Sequence, residues 1–320
     1  MSGEGEPRMS LEEHAAIAEL LRDRFGLAFS LDARHSLERR LRERLQKAGI
    51  ATFTDYVRLL RSERGEQELV EAADLVTVNE TYLLREEPQL RAFADDGVAL
   101  LGKSKRLSVW SAGCSTGEEA YSIAIVLLEA AKIPAAGIRI AGTDLSRRCI
   151  QTARRGVFGP SAFRVTSDST RRRWFSDKSD GAHAHDELRQ LVHFSQMNLL
   201  DRARASLIGT VDVVFCRNVL IYMDDAARSR IVSMFHELLT PGGLLLLGHS
   251  ESLLHDQQRS ARLSSTHEAT DAAPAPPFEP VHLRSEIVYR KPLDRHSPQG
   301  LIQGPMQSPM QSPIKAPRRS

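Results

Sequence analysis

The chain has 320 residues, 41% hydrophobic and 26% charged, with 43 lysines and arginines against 41 aspartates and glutamates for a net charge of +2. Its mean hydropathy is −0.31, and purely aliphatic runs such as Leu244 to Leu247 are far short of the ~18 apolar residues of a spanning helix. These values exclude a disordered, collagenous or membrane-inserted chain and give no global footprint for nucleic acid; at ~100 to 200 residues per domain they predict two domains.

In chain order, MSGEGEPRMS has neither a basic n-region nor an apolar h-region, so the expected location is cytoplasmic. Ser10 followed by Glu13 is a capping-box pattern ahead of Ile17, Leu20 and Leu21, which predicts a first helix. Ser36 to Ala48 predicts a second, with Leu37, Leu41 and Leu45 as one apolar stripe and Gly49 as its stop. Arg40, Arg44 and Lys47 share one flank of that stripe, as a solvated face or a docking surface. Phe53 to Leu60 and Leu69 to Val78 continue the helical period, so residues 1–90 read as a small all-helical domain and 91–104 as a linker.

From Arg106 the period changes. Strand-like runs at Leu107–Trp110, Ile138–Ala141, Val192–Phe194, Val211–Phe215 and Leu244–Leu247 alternate with helices at Glu118–Ala131, Ser146–Arg154 and Asp224–Leu239. Such alternation predicts an α/β domain over 105–291 built on a parallel, doubly wound sheet. The last helix meets a stop at Thr240-Pro241-Gly242-Gly243, and Val281–Arg290 reads as a final antiparallel edge strand. The polar, arginine-rich stretch 158–191 reads as an inserted subdomain. Leu253–Pro280 and residues 292–320, where Pro-Met-Gln-Ser occurs twice, read as mobile loop and flexible tail. Cys114, Cys149 and Cys216 are odd in number with no C-x-x-C spacing, which predicts buried thiols, no disulfide framework and no metal site.

Four segments carry chemistry. In VWSAGCSTGEEAYS, Val109 to Ser122, a strand enters a turn with Gly113 and Gly117, and a helix opens on Glu118 and Glu119. The G-x-G-x-x-G and G-x-x-x-x-G-K-[ST] phosphate cradles are missing, so a cationic ligand suits this turn better than a pyrophosphate. The plain alternative is two acids complementing a helix dipole. Asp144 ends the second strand, where an acid accepts ribose hydroxyls or caps the next helix. A glycine turn without a phosphate cradle plus a ribose acid points to a positively charged nucleoside, a description S-adenosylmethionine fits. Arg217 and Asn218 in FCRNVLIYMD sit at the carboxyl end of another strand, and Asn79-Glu80-Thr81-Tyr82 with Arg85 joins the two domains.

Together, in this order, these segments resemble the chemotaxis receptor methyltransferases, the CheR family, over roughly residues 10–291. NETYLLRE is similar to the family's N-E-T-x-F-F-R-E, and SAGCSTGEEAYSIA to its S-A-x-C-S-T-G-E-E-P-Y-S-I-A. FCRNVLIYMD and LTPGGLLLLGHSESL match its later blocks. Leu83 and Leu84 replace two phenylalanines, making the expected site wall less aromatic, and Ala120 replaces a proline.

The resemblance implies a Rossmann-like, class I S-adenosylmethionine-dependent methyltransferase that esterifies glutamates of chemoreceptors. By the same resemblance Asn79, Thr81 and Arg85 bind the methionine end of the cofactor, with Glu119 beside it. Asp144 takes the ribose, Asn198 and Leu199 the adenine, and Arg217 and Asn218 close the site. Arg85 and Tyr222 face the transferred methyl group. The implied partner is the cytoplasmic part of a methyl-accepting receptor, docked through Arg40, Arg44 and Lys47 by a monomer. Phe175–Asp186 contains only Gly181, which argues against the glycine-rich loop that some members use to grip a receptor tail. A dehydrogenase lacks its glycine fingerprint here, and GHSES, Gly248 to Ser252, lacks the fifth-place glycine of a hydrolase elbow. A non-catalytic member of the family is the competing reading.

Overall fold

The computed structural model describes residues 6–77, 79–253 and 277–293, so the expectations for the 253–280 loop and the 292–320 tail fall largely outside the described residues. The first domain is helical: α1 (Leu11–Phe25), α2 (Arg34–Ala48), α3 (Phe53–Leu60) and α4 (Gly65–Val76). The capping box forms, with Ser10 Oγ accepting from Glu13 N and Glu13 Oε2 from Ser10 N. Leu37, Leu41 and Leu45 bury their stripe against Ile17, Leu21, Phe53 and Tyr56 in one core.

The basic flank of α2 does not face outward as expected. Arg40 Nη1 donates to the last carbonyls of α4, Val76 O at 2.7 Å and Thr77 O at 3.2 Å. Arg44 pairs with Glu68, which also accepts from the buried Tyr56 hydroxyl, and reaches Glu71 at 3.4 Å. Two glutamates one turn apart and a helix C-terminus on α4 thus hold two of the three cations inside the domain. Lys47 stays exposed beside Glu43. The Arg44 and Glu68 side chains are 14% and 12% exposed. Arg44→Ala is therefore expected to destabilise by about 2 kcal/mol, because it strands partly desolvated carboxylates. Lys47→Ala should change stability by less than ~0.5 kcal/mol. Urea unfolding of both variants checks this, and equal midpoints would refute it.

The segment read as a linker is instead core. The α5 helix (Glu87–Ala92) runs through a π-turn, Phe93–Gly97, into α6 (Val98–Leu100). Leu90, Phe93, Ala94 and Val98 recur at helical spacing and are buried under the sheet, where the Phe93 and Phe215 rings meet edge-on at 5.1 Å.

The second domain then lays down β1 (Leu107–Ala112), α7 (Glu118–Ala130), β2 (Ile138–Asp144) and α8 (Arg147–Arg155). Next come β3 (Val157–Phe158), α9 (Asp168–Trp174), β4 (Phe175–Lys178), β5 (Gly181–Ala184) and α10 (Asp186–Arg189). It closes with β6 (Val192–Gln196), α11 (Arg202–Ala205), β7 (Val211–Cys216), α12 (Asp225–Leu238), β8 (Leu239–Leu247), β9 (Glu279–Leu283) and β10 (Glu286–Arg290).

The main sheet has the order β6-β2-β1-β7-β8-β10-β9, and its first five strands are parallel. Side chains alternate between two cores: Val109, Val213 and Phe215 face α7, while Trp110, Val214 and Cys216 face α12. The expected single edge strand is a hairpin, β9 and β10, with β10 antiparallel to β8 and Arg284 at φ 57° in the turn. The expected stop at 240–243 lies within β8, which begins directly at Leu239 and bulges against β7. The 158–191 insertion folds largely as a three-stranded antiparallel sheet, β3-β5-β4, with α9 and α10. Winding reverses between β1 and β7, so the crevice of a doubly wound sheet falls outside their carboxyl ends.

Candidate functional site

A cleft opens at that crevice, with about 980 Å³ of space between its walls counting the part open to solvent. All ten residues singled out in the sequence line it: Asn79, Thr81, Arg85, Glu119, Asp144, Asn198, Leu199, Arg217, Asn218 and Tyr222.

The floor is the turn after β1. Gly113 N and Cys114 N both donate to Thr143 O, at 2.7 and 2.9 Å, drawing the turn across the end of β2. Gly113 has φ 84°, and a Cβ there would stand 2.4 Å from Val219, so a side chain is excluded both by conformation and by the opposite wall. Gly117 serves packing instead: its missing Cβ lets the start of α7 approach Ala153 and Phe194, and it does not line the cleft. The paired acids also divide. Glu118 is buried away from the cleft and accepts from Thr116 Oγ1 at 2.6 Å, whereas Glu119 faces into it.

Asp144 ends β2, and each of its carboxylate oxygens accepts one backbone N–H, from Ser115 and Ser146, both at 2.8 Å. Burial pushes its carboxyl above the usual range despite these two donors. Each oxygen keeps a further lone pair for a ligand hydroxyl. Ser146, not Asp144, caps α8.

The polar wall centres on Arg217, whose side chain is 2% exposed. Its Nη2 donates to Arg85 O at 2.6 Å and Glu86 Oε2 at 2.9 Å, and its Nη1 stands 3.6 Å from Glu119 Oε2. Glu119 also accepts from Ser111 Oγ at 2.7 Å. Desolvation outweighs the arginine and raises the Glu119 carboxyl. Two buried polar atoms here, Arg217 Nε and Asn218 Oδ1, have no hydrogen-bond partner among the described residues.

The strap 79–86 crosses above the floor, pinned at Asn79 O by Ser115 Oγ and at Leu84 N by Ser122 Oγ. The inserted subdomain holds its outer side: Leu83 N donates to Ala162 O at 2.9 Å, and the Arg164 guanidinium lies 3.8 Å from the Tyr82 ring centroid. Leu83 and Leu84 point into the core, 0% and 2% exposed, so the missing phenylalanines change the packing beneath the strap and not the lining. Arg85 is half-buried, its Nη1 on Glu80 O at 3.0 Å, between Leu84 and Glu86 at φ 59° and 54°. Tyr222 stands at the mouth, 37% exposed.

Sequence reasoning missed the wall supplied by the helical domain, where Phe25 and Leu27 line the cleft. The chain leaving α1 pairs with the 222–224 turn through Ala28 N to Tyr222 O (2.9 Å) and Asp224 N to Gly26 O (3.0 Å). Asn198 Nδ2 donates to Arg24 O at 2.8 Å, so this residue ties the seam as well as lining the cleft. Gly26, at φ 73°, would place a Cβ 2.4 Å from that of Ala227. A glycine directly after a helix was the only signal, and it reads equally as an ordinary C-cap.

The sequence pattern described as "CheR methyltransferase, all-alpha domain" matches residues 12–77, and "CheR methyltransferase, SAM binding domain" matches 79–269. The chain is similar to Chemotaxis protein methyltransferase 2 of Vibrio cholerae, 37% identical over 233 residues covering 71% of this chain and 81% of the relative. It is similar to Chemotaxis protein methyltransferase 2 of Pseudomonas aeruginosa, 34% identical over 257 residues, 79% of this chain and 91% of that one. A third relative, Probable biofilm formation methyltransferase WspC of Pseudomonas putida, is 37% identical over 238 residues, 73% of this chain and 55% of that one. With both patterns matched in chain order and the cleft assembled where a doubly wound sheet binds its ligand, the chain belongs to the CheR family of S-adenosylmethionine-dependent methyltransferases.

Proposed function

We propose that this methyltransferase esterifies glutamate side chains on the cytoplasmic part of chemoreceptors, using S-adenosylmethionine and releasing S-adenosylhomocysteine. The observation that carries the reading is the convergence of Asn79, Thr81, Arg85, Glu119, Asp144 and Asn218, scattered over 140 positions of sequence, on one cleft. The residues fit the cofactor. Asp144 offers two carboxylate oxygens to ribose hydroxyls, Asn198 and Leu199 flank an adenine, and Asn79, Thr81 and Glu119 surround the amino-acid end. The unpartnered Arg217 Nε and Asn218 Oδ1 are polar atoms a ligand would satisfy.

When bound, the cofactor supplies an electrophilic methyl group on a cationic sulfonium. The chain has the remaining tasks. A glutamate is ionised near neutral pH, its reference pKa being ~4.3, so no residue need act as a general base. Arg85 and Tyr222, both on the cleft lining, would hold and orient the incoming carboxylate toward the methyl group. Such positioning contributes up to ~7 to 11 kcal/mol in favourable cases. The strap and the helical wall keep water from the reacting carboxylate. Receptor docking through α2 falls to its exposed cations, Lys47 and Arg39, because Arg40 and Arg44 are held by α4.

Incubation with methyl-tritiated S-adenosylmethionine and receptor-rich membranes tests this. The expected result is label on the receptor that base releases as methanol, the mark of a carboxyl ester. Base-stable label, or none, would overturn the reading. A second prediction concerns pH. Ionised Asp144 accepts both ribose hydroxyls, so S-adenosylhomocysteine affinity should fall as pH drops through its raised pKa, beginning above the ~3.9 of an ordinary aspartate. Asp144→Asn should bind more weakly at neutral pH, by ~1.5 to 3 kcal/mol for each charge-assisted bond lost, and show a flatter profile. Calorimetry from pH 8 to pH 5 measures both, and parallel profiles for the two proteins would refute it.

A further inference from the structure

Glu251 follows β8 in the GHSES run and is buried at 6% exposure. Its carboxylate collects four backbone donors. Oε2 accepts from Gly248 N at 2.8 Å and Asn218 N at 2.7 Å, and Oε1 from Val219 N at 3.0 Å and Ile221 N at 3.3 Å. Three of these donors belong to the loop after β7, which turns sharply, with Asn218 at φ 59°, into the short 3-10 turn Leu220–Tyr222. Asparagine tolerates that left-handed conformation better than most residues with a Cβ, and the Glu251 carboxylate gathers the loop's N–H groups on one side of it. The same loop carries the unpartnered Asn218 Oδ1 into the cleft lining, and Tyr222 one short turn later.

We infer that Glu251 is a positioning residue for the ligand site: its carboxylate fixes the 218–222 loop in the conformation that presents Asn218 and Tyr222 to the cleft. It touches neither cofactor nor substrate, since it does not line the cavity. The inference rests on the proposed function only for the name of the ligand.

Two changes test it from opposite directions. Glu251→Gln keeps the shape but turns an amide N–H₂ toward backbone donors, breaking two of the four bonds. Gly248→Ala keeps the carboxylate, but its Cβ would lie 2.8 Å from Asn218 Nδ2 and 2.9 Å from Glu251 Oε2, wedging the loop from its carboxylate. Gly248 is not at positive φ, so the alanine itself introduces no backbone strain. Glu286→Gln is the control, a buried acid of the same sheet end bonded to His249.

Calorimetric titration of the full chain with S-adenosylhomocysteine should show the dissociation constant raised about tenfold or more in both loop variants and within about twofold of wild type in the control. Turnover should fall further than affinity, because Tyr222 moves with Asn218. If Glu251→Gln fails to fold, Gly248→Ala decides. Unchanged affinity in the folded loop variants, or an equal loss in Glu286→Gln, would make Glu251 ordinary fold support and overturn the inference. Wild-type protein that binds no S-adenosylhomocysteine would instead sink the proposed function.

Discussion

Replacing Arg85 by alanine should lower kcat for methyl transfer by about 10²- to 10³-fold while changing S-adenosylhomocysteine affinity by less than about threefold. The magnitude is that of removing one preorganised group from a reacting centre. Arg85 is held for that work in an unusual way. Leu84 and Glu86, on either side, are both left-handed, at φ 59° and 54°. Such residues cost about 1 to 3 kcal/mol each and persist where the surroundings fix them. Here Ser122 Oγ takes Leu84 N at 2.8 Å, and Arg217 takes both Arg85 O and Glu86. The strap backbone is thus held from both sides of Arg85, and under the proposed function this sets where its guanidinium starts. Steady-state kinetics with receptor membranes, paired with product titration, separates the two quantities. Parallel losses in both would make Arg85 a plain ligand contact.

Arg217→Met should destabilise the fold by about 3 to 5 kcal/mol, the range for removing one partner of a buried ion pair. Methionine fills much of the volume but leaves Glu86 and Glu119, 16% and 14% exposed, facing each other without the cation between them. It also leaves Arg85 O without its donor. The deficit should shrink on acidification. The Glu119 carboxyl is already raised by burial, and losing Arg217 raises it further. As pH falls through that pKa the folded variant takes up a proton that the unfolded chain binds only at lower pH, which favours the folded form. Urea unfolding at pH 7.5 and pH 5.5 measures both effects, and a deficit that grows at the lower pH would refute the assignment.

Much of the sheet domain was legible because its signals are local. Alternating runs marked each parallel strand, and strand ends marked where chemistry could sit, so Asp144, Arg217 and Asn218 were found from position alone. What failed depended on contacts across long sequence separations. Arg40 and Arg44 read as a solvated face or a docking surface because the groups that hold them are remote in sequence; Glu68 and Glu71 are on another helix. The 91–104 segment read as a linker because it falls between the helical period and the first strand-like run, yet Phe93 and Val98 fall on the stripe that covers the sheet. GHSES was weighed as a nucleophile elbow and set aside, and nothing in a pentapeptide announces that its glutamate gathers donors from a loop some thirty residues earlier.

The seam at Gly26 constrains how this protein can be recombined. The helical domain forms its own core and resembles a removable module, yet its first helix ends as a wall of the neighbouring domain's cleft. Any side chain at position 26 would collide with Ala227, and Leu27 must meet Met223 in an isolated bridge. A chimera that grafts a relative's helical domain onto this sheet therefore transplants part of the cleft with it. It should retain ligand affinity only if the donor brings a glycine in the same left-handed conformation and an apolar residue after it. The two halves are coupled through this seam, so the helical surface is changed with less cost to the cleft by point substitution at exposed positions than by exchanging the whole domain.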